Sequence, residues 1–474
     1  MGATGVKTIM SRLLISAAHK SSGKTTITLG LCAALSERGL KVQPFKKGPD
    51  YIDPMWLGKA AGRPCYNLDF YCMSHAEILS TLGHYSGQAD ISIIEGNKGL
   101  YDGLDLEGSN SNAALARLTR TPVVLVLDTR GMTRGIAPLI LGNQAFDPEV
   151  DIAGVILNQL GGSRHEAKLR AVIQHYTDVP VLGGIHRNRE LEITERHLGL
   201  IPSNEETSSM TRIERIRELV REQVDLDGLL SVCGKAPLDF EPLNNPQATA
   251  GSRVRVGIAR DAAFGFYYPD DLHALEQAGA ELIAIDTLMD QELPDIDGLF
   301  IGGGFPETRM EALQANESLR RQIRTAIIAD GLPVYAECGG LMYLSRSISW
   351  KDRRCEMVGV IPGDIIMHER PQGRGYVRLG ETPRLPWPDT QPQVEFSAHE
   401  FHYSSLENIT EPLSFGLDVR RGTGIDGKHD GIVINNLVAS YCHIRDTRQH
   451  RWARRFVDFV RLHRQRDITI TSPL

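Results

Sequence analysis

The feature that most constrains this sequence is a recurring alternation. Apolar runs of strand length, continuous rather than every-other, each give way to a stretch with helical spacing. Examples are "LLISAA" (13–18), "ISIIEG" (91–96), "VVLVLD" (123–128), "AGVILN" (153–158) and "PVLGGI" (180–185). A strand that is apolar on both sides must be covered on both faces, as in a parallel sheet flanked by helices. From Glu205 to Leu230 the pattern is helical, with Met210, Ile213, Ile216, Leu219, Val220 and Val224 near one stripe. The texture then changes. "CGKAPLDFEPLNNPQATAGS" (233–252) is rich in Pro, Asn, Gly and Ala, has no period, and reads as an interdomain linker. Alternation resumes at "VRVGIA" (254–259) and continues through "LIAID" (282–286), "GLFIGGG" (298–304), "PVYAE" (333–337) and "MVGVIPG" (357–363). The expectation is two α/β domains, over 11–232 and 253–446. A basic amphipathic tail (447–474) follows, either a helix packed on the second domain or a homodimer contact.

The chain's 474 residues suffice for two or three domains, and a net charge of −7 offers no basic face for nucleic acid. No stretch approaches the roughly 18 uninterrupted apolar residues of a membrane span. "MGATGVKTIMSRLL" lacks the pattern of a signal peptide, and Val6 breaks the myristoylation pattern. Residues 1–10 are expected to be a loose extension. Seven scattered cysteines without zinc-ligand spacing argue for a reducing cytoplasm rather than a disulfide framework.

Two corners carry chemistry. "AAHKSSGKTTITLGL" sets Gly23, Lys24 and Thr25 between an apolar strand and a helix. This resembles a P-loop, although Ala18 stands where the first glycine is usual. Backbone N–H groups from Ser22 to Thr26 would wrap the phosphates of ATP, Lys24 would reach their outer oxygens, and the Thr25 hydroxyl would hold Mg²⁺. The plainer alternative is a helix capped by Ser21 or Ser22. Asp50 in "KKGPDYIDP" and Glu95 in "IIEGNKGLYDG" sit at strand ends, where a carboxylate can complete a Mg²⁺ site or merely cap a turn. Asn158 follows the strand "GVIL" and either meets an adenine edge or closes a loop.

The second corner is "PVYAECGGLMYL" (333–344). Cys338 lies where a strand turns sharply into a helix, a turn that can lift a nucleophile out of a sheet. A free thiol, with a pKa near 8.5, is mostly protonated at neutral pH, so a base is needed. His443 in "NLVASYCHIRD" is the candidate, with His399 and His402 as alternatives. The glycines of "FIGGGFPE", with Gly339, give backbone N–H groups the freedom to form an oxyanion hole, for which Gly303, Gly304 and Gly339 are the candidates.

These segments, together with "GRPCYNLD", "RHLGLIP", "ARDAAFGFYYPDDL" and "HEFHYS", resemble the cobyrinic acid a,c-diamide synthase family over almost everything from Ser11 to about Asp446. The resemblance implies a dethiobiotin-synthetase-like ATP domain followed by a class I glutamine amidotransferase domain, flavodoxin-like, of the cobyric-acid-synthase type. It implies that Cys338 is the glutaminase nucleophile, that His443 raises its nucleophilicity, and that Lys24, Thr25, Asp50 and Glu95 match the ATP and magnesium positions. Arg445 stands where many class I amidotransferases carry a carboxylate, so a dyad is expected. Glutamine would supply ammonia through an enclosed passage to an acyl phosphate made from ATP, amidating acetate groups of a cyclic tetrapyrrole. Cobyrinic acid is the family default. His19-Lys20 and Asn97-Lys98 depart from the usual residues and resemble a branch that amidates sirohaem or a metallated sirohydrochlorin. Lys47, Tyr51, Asp53, Lys98 and Asp102 are candidate tetrapyrrole contacts, with Arg374 as a further cation; solvated surface charge is the alternative for the lysines and Arg374. An ATPase switch with a non-catalytic second domain, or a ligase using free ammonia, are the competing readings.

Overall fold

A computed structural model of the chain describes residues 6–188, 195–196, 199–206, 208–243 and 252–471. The linker's residues 244–251, and His197-Leu198 of the family-like segment, lie outside these. The chain divides into two compact units, Met1–Leu243 and Asn244–Leu474.

The first unit begins with β1 (Val6–Ile9) and β2 (Arg12–Ala17), followed by α1 (Lys24–Glu37), β3 (Val42–Lys47) and α2 (Ile52–Ala61). Then come β4 (Tyr66–Leu68), α3 (His75–Ser86), β5 (Ile91–Glu95), β6 (Val123–Asp128), β7 (Ile152–Leu160) and β8 (Val181–His186). Seven strands form one sheet in the order β4-β3-β5-β2-β6-β7-β8, with every pair parallel. Their continuous apolar runs are buried on both faces, and Leu13, Leu14, Ile93, Ile94 and Val124 have no exposed surface. The strand order reverses beside β2, so the loops after β2, β3 and β5 gather at one carboxyl edge, where open α/β sheets bind ligands.

Two expectations need correction here. Residues 6–9, expected to be loose, form β1, and residues 237–240, expected within a linker, form its antiparallel partner. The reason is apolar anchoring: Leu238 is buried, and Phe240 lies against Gly83 of α3. The helical stretch expected over 205–230 is two helices, Ser209–Gln223 and Leu226–Ser231. The break falls where Val224 bridges to Gly183 and Asp225 accepts a hydrogen bond from the Gly228 N–H (2.9 Å), capping the second helix. Met210, expected near the apolar stripe, is exposed.

The second unit opens with parallel strands ordered Ala280–Ile285, Val254–Ala259, Gly298–Ile301, Val334–Glu337 and Leu437–Ser440. The same sheet then turns antiparallel through His429–Ile434, Ser414–Arg421, Gly373–Glu381 and Glu395–His402, ending at His443–Ile444. Leu437–Ser440 and His443–Ile444 are separated in the chain by Tyr441 and Cys442 alone, yet stand fifth and tenth in the sheet. The sheet must therefore curl back on itself. The run 357–363, expected to extend the parallel alternation, instead feeds Ile361–Met367 into a separate four-stranded sheet.

One face of the curled sheet is closed by the helix Trp452–Thr471. Trp452, Phe456, Val457 and Val460 have no exposed surface, and the Trp452 ring centre lies 4.9 Å from Tyr335 and 5.2 Å from Phe300. Removing that indole leaves a cavity in a close-packed aromatic cluster, which costs about 3–5 kcal/mol for a large aromatic truncated to alanine. Trp452→Ala is expected to lower the urea midpoint of the second unit by a corresponding amount, read from near-ultraviolet circular dichroism.

Candidate functional site

In the first unit, β2 runs out at Ala17 and α1 starts at Lys24. Gly23 at its N-cap has φ 89°, a left-handed backbone that favours glycine, and a Cβ there would lie 2.2 Å from Asn158 Nδ2. Asn158 donates that amide to the Ser22 carbonyl (2.8 Å), a bond that closes the loop onto the end of β7. Ser22 donates its hydroxyl to the His19 carbonyl (2.8 Å). Thr26 lies in the first turn of α1, where N–H groups have no intrahelical partner. Lys24 donates to the Lys98 carbonyl (2.6 Å). Burial, partly countered by Glu95, lowers its ammonium to about 8, a group that gains from an anionic partner.

The Thr25 hydroxyl donates to Glu95 Oε1 (2.6 Å) and lies 3.4 Å from Asp53 Oδ2. Between these carboxylates stands a lysine the sequence reading passed over. Lys46 Nζ is 2.5 Å from Asp53, 2.8 Å from Glu95 and 3.8 Å from Asp50. Asp53, expected at the tetrapyrrole, thus stands beside the Thr25 hydroxyl and Lys46, while Asp50 Oδ1 accepts the Ile52 and Asp53 N–H groups (2.9 and 3.1 Å) and caps the turn. Burial raises the Glu95 pKa and, with the Asp53 charge, raises Asp50 to about 7. The missing signal was strand pairing: Lys46 and Glu95 are direct neighbours across β3 and β5, which a linear reading does not reveal.

Magnesium fits these residues. Glu95 is fully buried, and its Oε2 has no hydrogen-bond partner among the described residues. Among the described residues no three His, Cys, Asp or Glu side chains form a metal cage. Mg²⁺ in phosphate sites takes one or two carboxylates, the remaining positions being filled by phosphate and water.

The remaining expected tetrapyrrole contacts surround this edge. Lys47 is buried rather than solvated. It donates to Asn97 Oδ1 (2.9 Å), and burial lowers its pKa to about 8 despite Asp69. Tyr51 is buried at the N-cap of α2, Lys98 is exposed with φ 42°, and Asp102 accepts the Gly99 N–H (2.9 Å). Arg374, in the second unit, lies over the Phe401 ring.

In that unit, Val334–Glu337 ends at Cys338, whose φ of 46° is left-handed for a non-glycine residue, and the helix Gly339–Leu344 follows at once. The strain is tolerated because both sides are pinned: Cys338 N–H donates to the Ser440 carbonyl (2.7 Å), and its own carbonyl accepts from Met342 (3.0 Å). A Cβ on Gly340 would lie 2.2 Å from the Ile301 carbonyl, so the helix can start this close to the sheet only with glycine there. Gly303 packs against the His443 ring, and Gly304 N lies beside Gly339. The three oxyanion-hole candidates therefore surround the corner. Cys338 N–H itself is engaged by the Ser440 carbonyl, while Gly339 opens the helix and Gly303-Gly304 pairs with Phe264–Phe266.

The curl of the sheet brings His443 to Cys338, and the two side chains are hydrogen-bonded. Burial opposes a charge on His443, but its bonds to Cys338 and Glu337 outweigh this and push its pKa up to about 10. The alternative histidines play other parts. His399 stacks on His443 (ring centres 5.0 Å apart), with a pKa well below the ordinary value through burial and the neighbouring His443 and Arg445, and His402 stacks on Tyr441. Arg445 is turned to Asp270 (2.5 Å). Glu337 is the residue missed: its Oε2 lies 3.3 Å from His443 Nδ1. In the sequence it is simply the last residue of the run "PVYAE".

Residues 14–201 match the CobQ/CobB/MinD/ParA nucleotide binding domain, and residues 255–449 the CobB/CobQ-like glutamine amidotransferase domain. A relative from Magnetococcus marinus named cobyrinate a,c-diamide synthase is 48% identical, over 93% of this chain and 95% of its own length. One of the same name from Methanosarcina acetivorans is 44% identical, over 91% and 92%, and one from Archaeoglobus fulgidus is 40% identical, over 94% and 96%. No helix among the described residues is long and apolar enough to cross a membrane. With both halves matched in order and relatives aligned end to end, this chain belongs to the cobyrinate a,c-diamide synthase family of glutamine-dependent, ATP-driven ligases.

Proposed function

We propose that this chain amidates the acetate carboxylates of cobyrinate, the acid named in its relatives, with glutamine as nitrogen donor and an acyl phosphate as intermediate. The observation that carries the reading is the Cys338–His443 pair at a strained strand end, in one chain with the Lys24–Thr25–Glu95 cluster. A carboxylate does not exchange oxygen for nitrogen at neutral pH because hydroxide leaves poorly. Phosphorylation supplies a better leaving group.

In the first unit, N–H groups from Ser22 to Thr26 and the Lys24 ammonium hold the phosphates of ATP. Thr25 and Glu95, with Asp53 or Asp50, would hold Mg²⁺, which supplies charge neutralisation at the transferred phosphoryl group. Lys46 balances the buried carboxylates, whose uncompensated charge would otherwise be costly. In the second unit His443 accepts the thiol proton and Cys338 sulfur attacks the side-chain amide carbon of glutamine. Gly339 and the Gly303-Gly304 backbone stabilise the oxyanion. Ammonia leaves with the proton returned by His443, and water hydrolyses the glutamyl thioester. The ammonia then displaces phosphate from the activated carboxylate in the first unit.

Two tests separate the parts. Cys338→Ala is expected to abolish glutamine-supported amidation while leaving ammonia-supported amidation within about twofold; surviving glutamine activity would assign the nucleophile elsewhere. Glu95→Gln and Thr25→Val are expected to lose at least about 10²-fold with either nitrogen source, in keeping with the weight of electrostatic stabilisation in phosphoryl transfer. The acceptor is tested by supplying cobyrinate beside sirohaem, with products followed by mass. Cobyrinate is expected to turn over faster, and preferred sirohaem turnover would move the chain to the branch suggested by His19-Lys20 and Asn97-Lys98.

A further inference from the structure

We propose that Glu337 is the positioning residue for His443, the carboxylate that Arg445 cannot supply from its place two residues past the histidine. This rests on the glutaminase reading above and deepens it.

The geometry is specific. Glu337 is buried, and its Oε1 accepts the Tyr335 hydroxyl (2.6 Å) and the Ile444 N–H (2.9 Å). These two bonds fix the carboxylate independently of the histidine and leave Oε2 facing His443 Nδ1 at 3.3 Å. Tyr335 is two residues earlier on the same strand and so on the same side of the sheet. Burial and the Glu337 charge push its phenol well above the usual range, so it remains a donor. The Ile444 bond ties Glu337 to the peptide that follows His443, so carboxylate and imidazole are held in one frame. Glu337 immediately precedes Cys338 in the chain. One strand end thus presents the nucleophile and, through the previous residue, the group that orients the base.

A carboxylate on Nδ1 keeps the proton on that nitrogen, leaves Nε2 as the base toward Cys338, and stabilises the imidazolium once the thiol proton arrives. The other groups around His443 do not compete. His399, stacked on it, stays neutral because burial and its neighbours lower its pKa, and Arg445 is committed to Asp270.

The test uses the full chain with Glu337→Gln. An amide at this place still accepts from Tyr335 and Ile444, but its NH₂ faces Nδ1 and favours the wrong imidazole tautomer. Glutamine-supported kcat is expected to fall about 10²–10⁴-fold, with ammonia-supported activity retained. A second readout is iodoacetamide labelling of Cys338 against pH, followed on the Cys338 peptide because six other cysteines are free. With the imidazolium less stabilised, the thiolate forms only at higher pH, and the labelling midpoint is expected to rise by about one unit or more. Tyr335→Phe, which removes one donor and little packing, is expected to move both readouts the same way by a smaller amount, and it carries the test if Glu337→Gln does not fold. Glutamine-supported kcat within twofold of the parent, an unchanged labelling midpoint, or equal loss with ammonia would overturn the proposal. Cys338→Ala run beside it separates the two failures. If that variant keeps glutamine activity the glutaminase assignment falls, and if it alone loses it only the role of Glu337 falls.

Discussion

The second unit depends on one piece of strand pairing, the parallel register of Val334–Glu337 against Leu437–Ser440. That register sets Glu337 opposite Ser440, and everything in the site follows within a few residues. Cys338 hangs from the Ser440 carbonyl, and the chain beyond Ser440 needs only Tyr441 and Cys442 to reach His443. Asp430 secures this crossing from inside: fully buried, it accepts from the Ser440 hydroxyl (2.7 Å), the Tyr441 N–H (3.0 Å) and the Cys442 N–H (2.9 Å). A carboxylate with several donors on it is a strong local clamp. A slip of one residue would put Cys338 and His443 on opposite faces, so register and chemistry are the same constraint.

The first unit reaches the same end by a different route. Its sheet is parallel, so its site is assembled from loops at one edge, and its problem is charge rather than curvature. Lys24, Lys46, Lys47 and Glu95 are all buried at that edge. Such groups are expensive to desolvate singly and are tolerated in mutual contact. Lys46 meets the carboxylates of Asp53 and Glu95, with Asp50 at 3.8 Å, while Lys24 donates to the Lys98 carbonyl and, among the described residues, Glu95 keeps one oxygen without a hydrogen-bond partner. The imbalance at Lys24 and at Glu95 is of the kind that a polyphosphate and a divalent cation correct together.

What was legible in the sequence was what is local. The turn at Gly23 and the corner at Cys338 each announce themselves by a strand-length apolar run, small residues and a helical pattern, all within about a dozen positions. What was not legible depends on pairing across the sheet. Lys46 meets Glu95 because β3 and β5 are neighbours, and Glu337 meets His443 because the sheet curls. Neither relation leaves a trace in spacing along the chain. Composition misled at the ends of the first unit. "PLDF", set among Pro, Asn and Ala, has too few apolar residues to read as a strand, and its partner "VKTI" is as short. Each becomes a strand because the other is there.

That last pairing has a topological meaning. Residues 6–9 and 237–240 are antiparallel neighbours, so the first unit receives and releases its chain at the same spot, zipped together. A body with adjoining ends is in effect a closed ring that happens to be cut at one point. Such a body can accept a cut elsewhere on its rim, with the old ends joined by a short bridge, without disturbing the order of its strands.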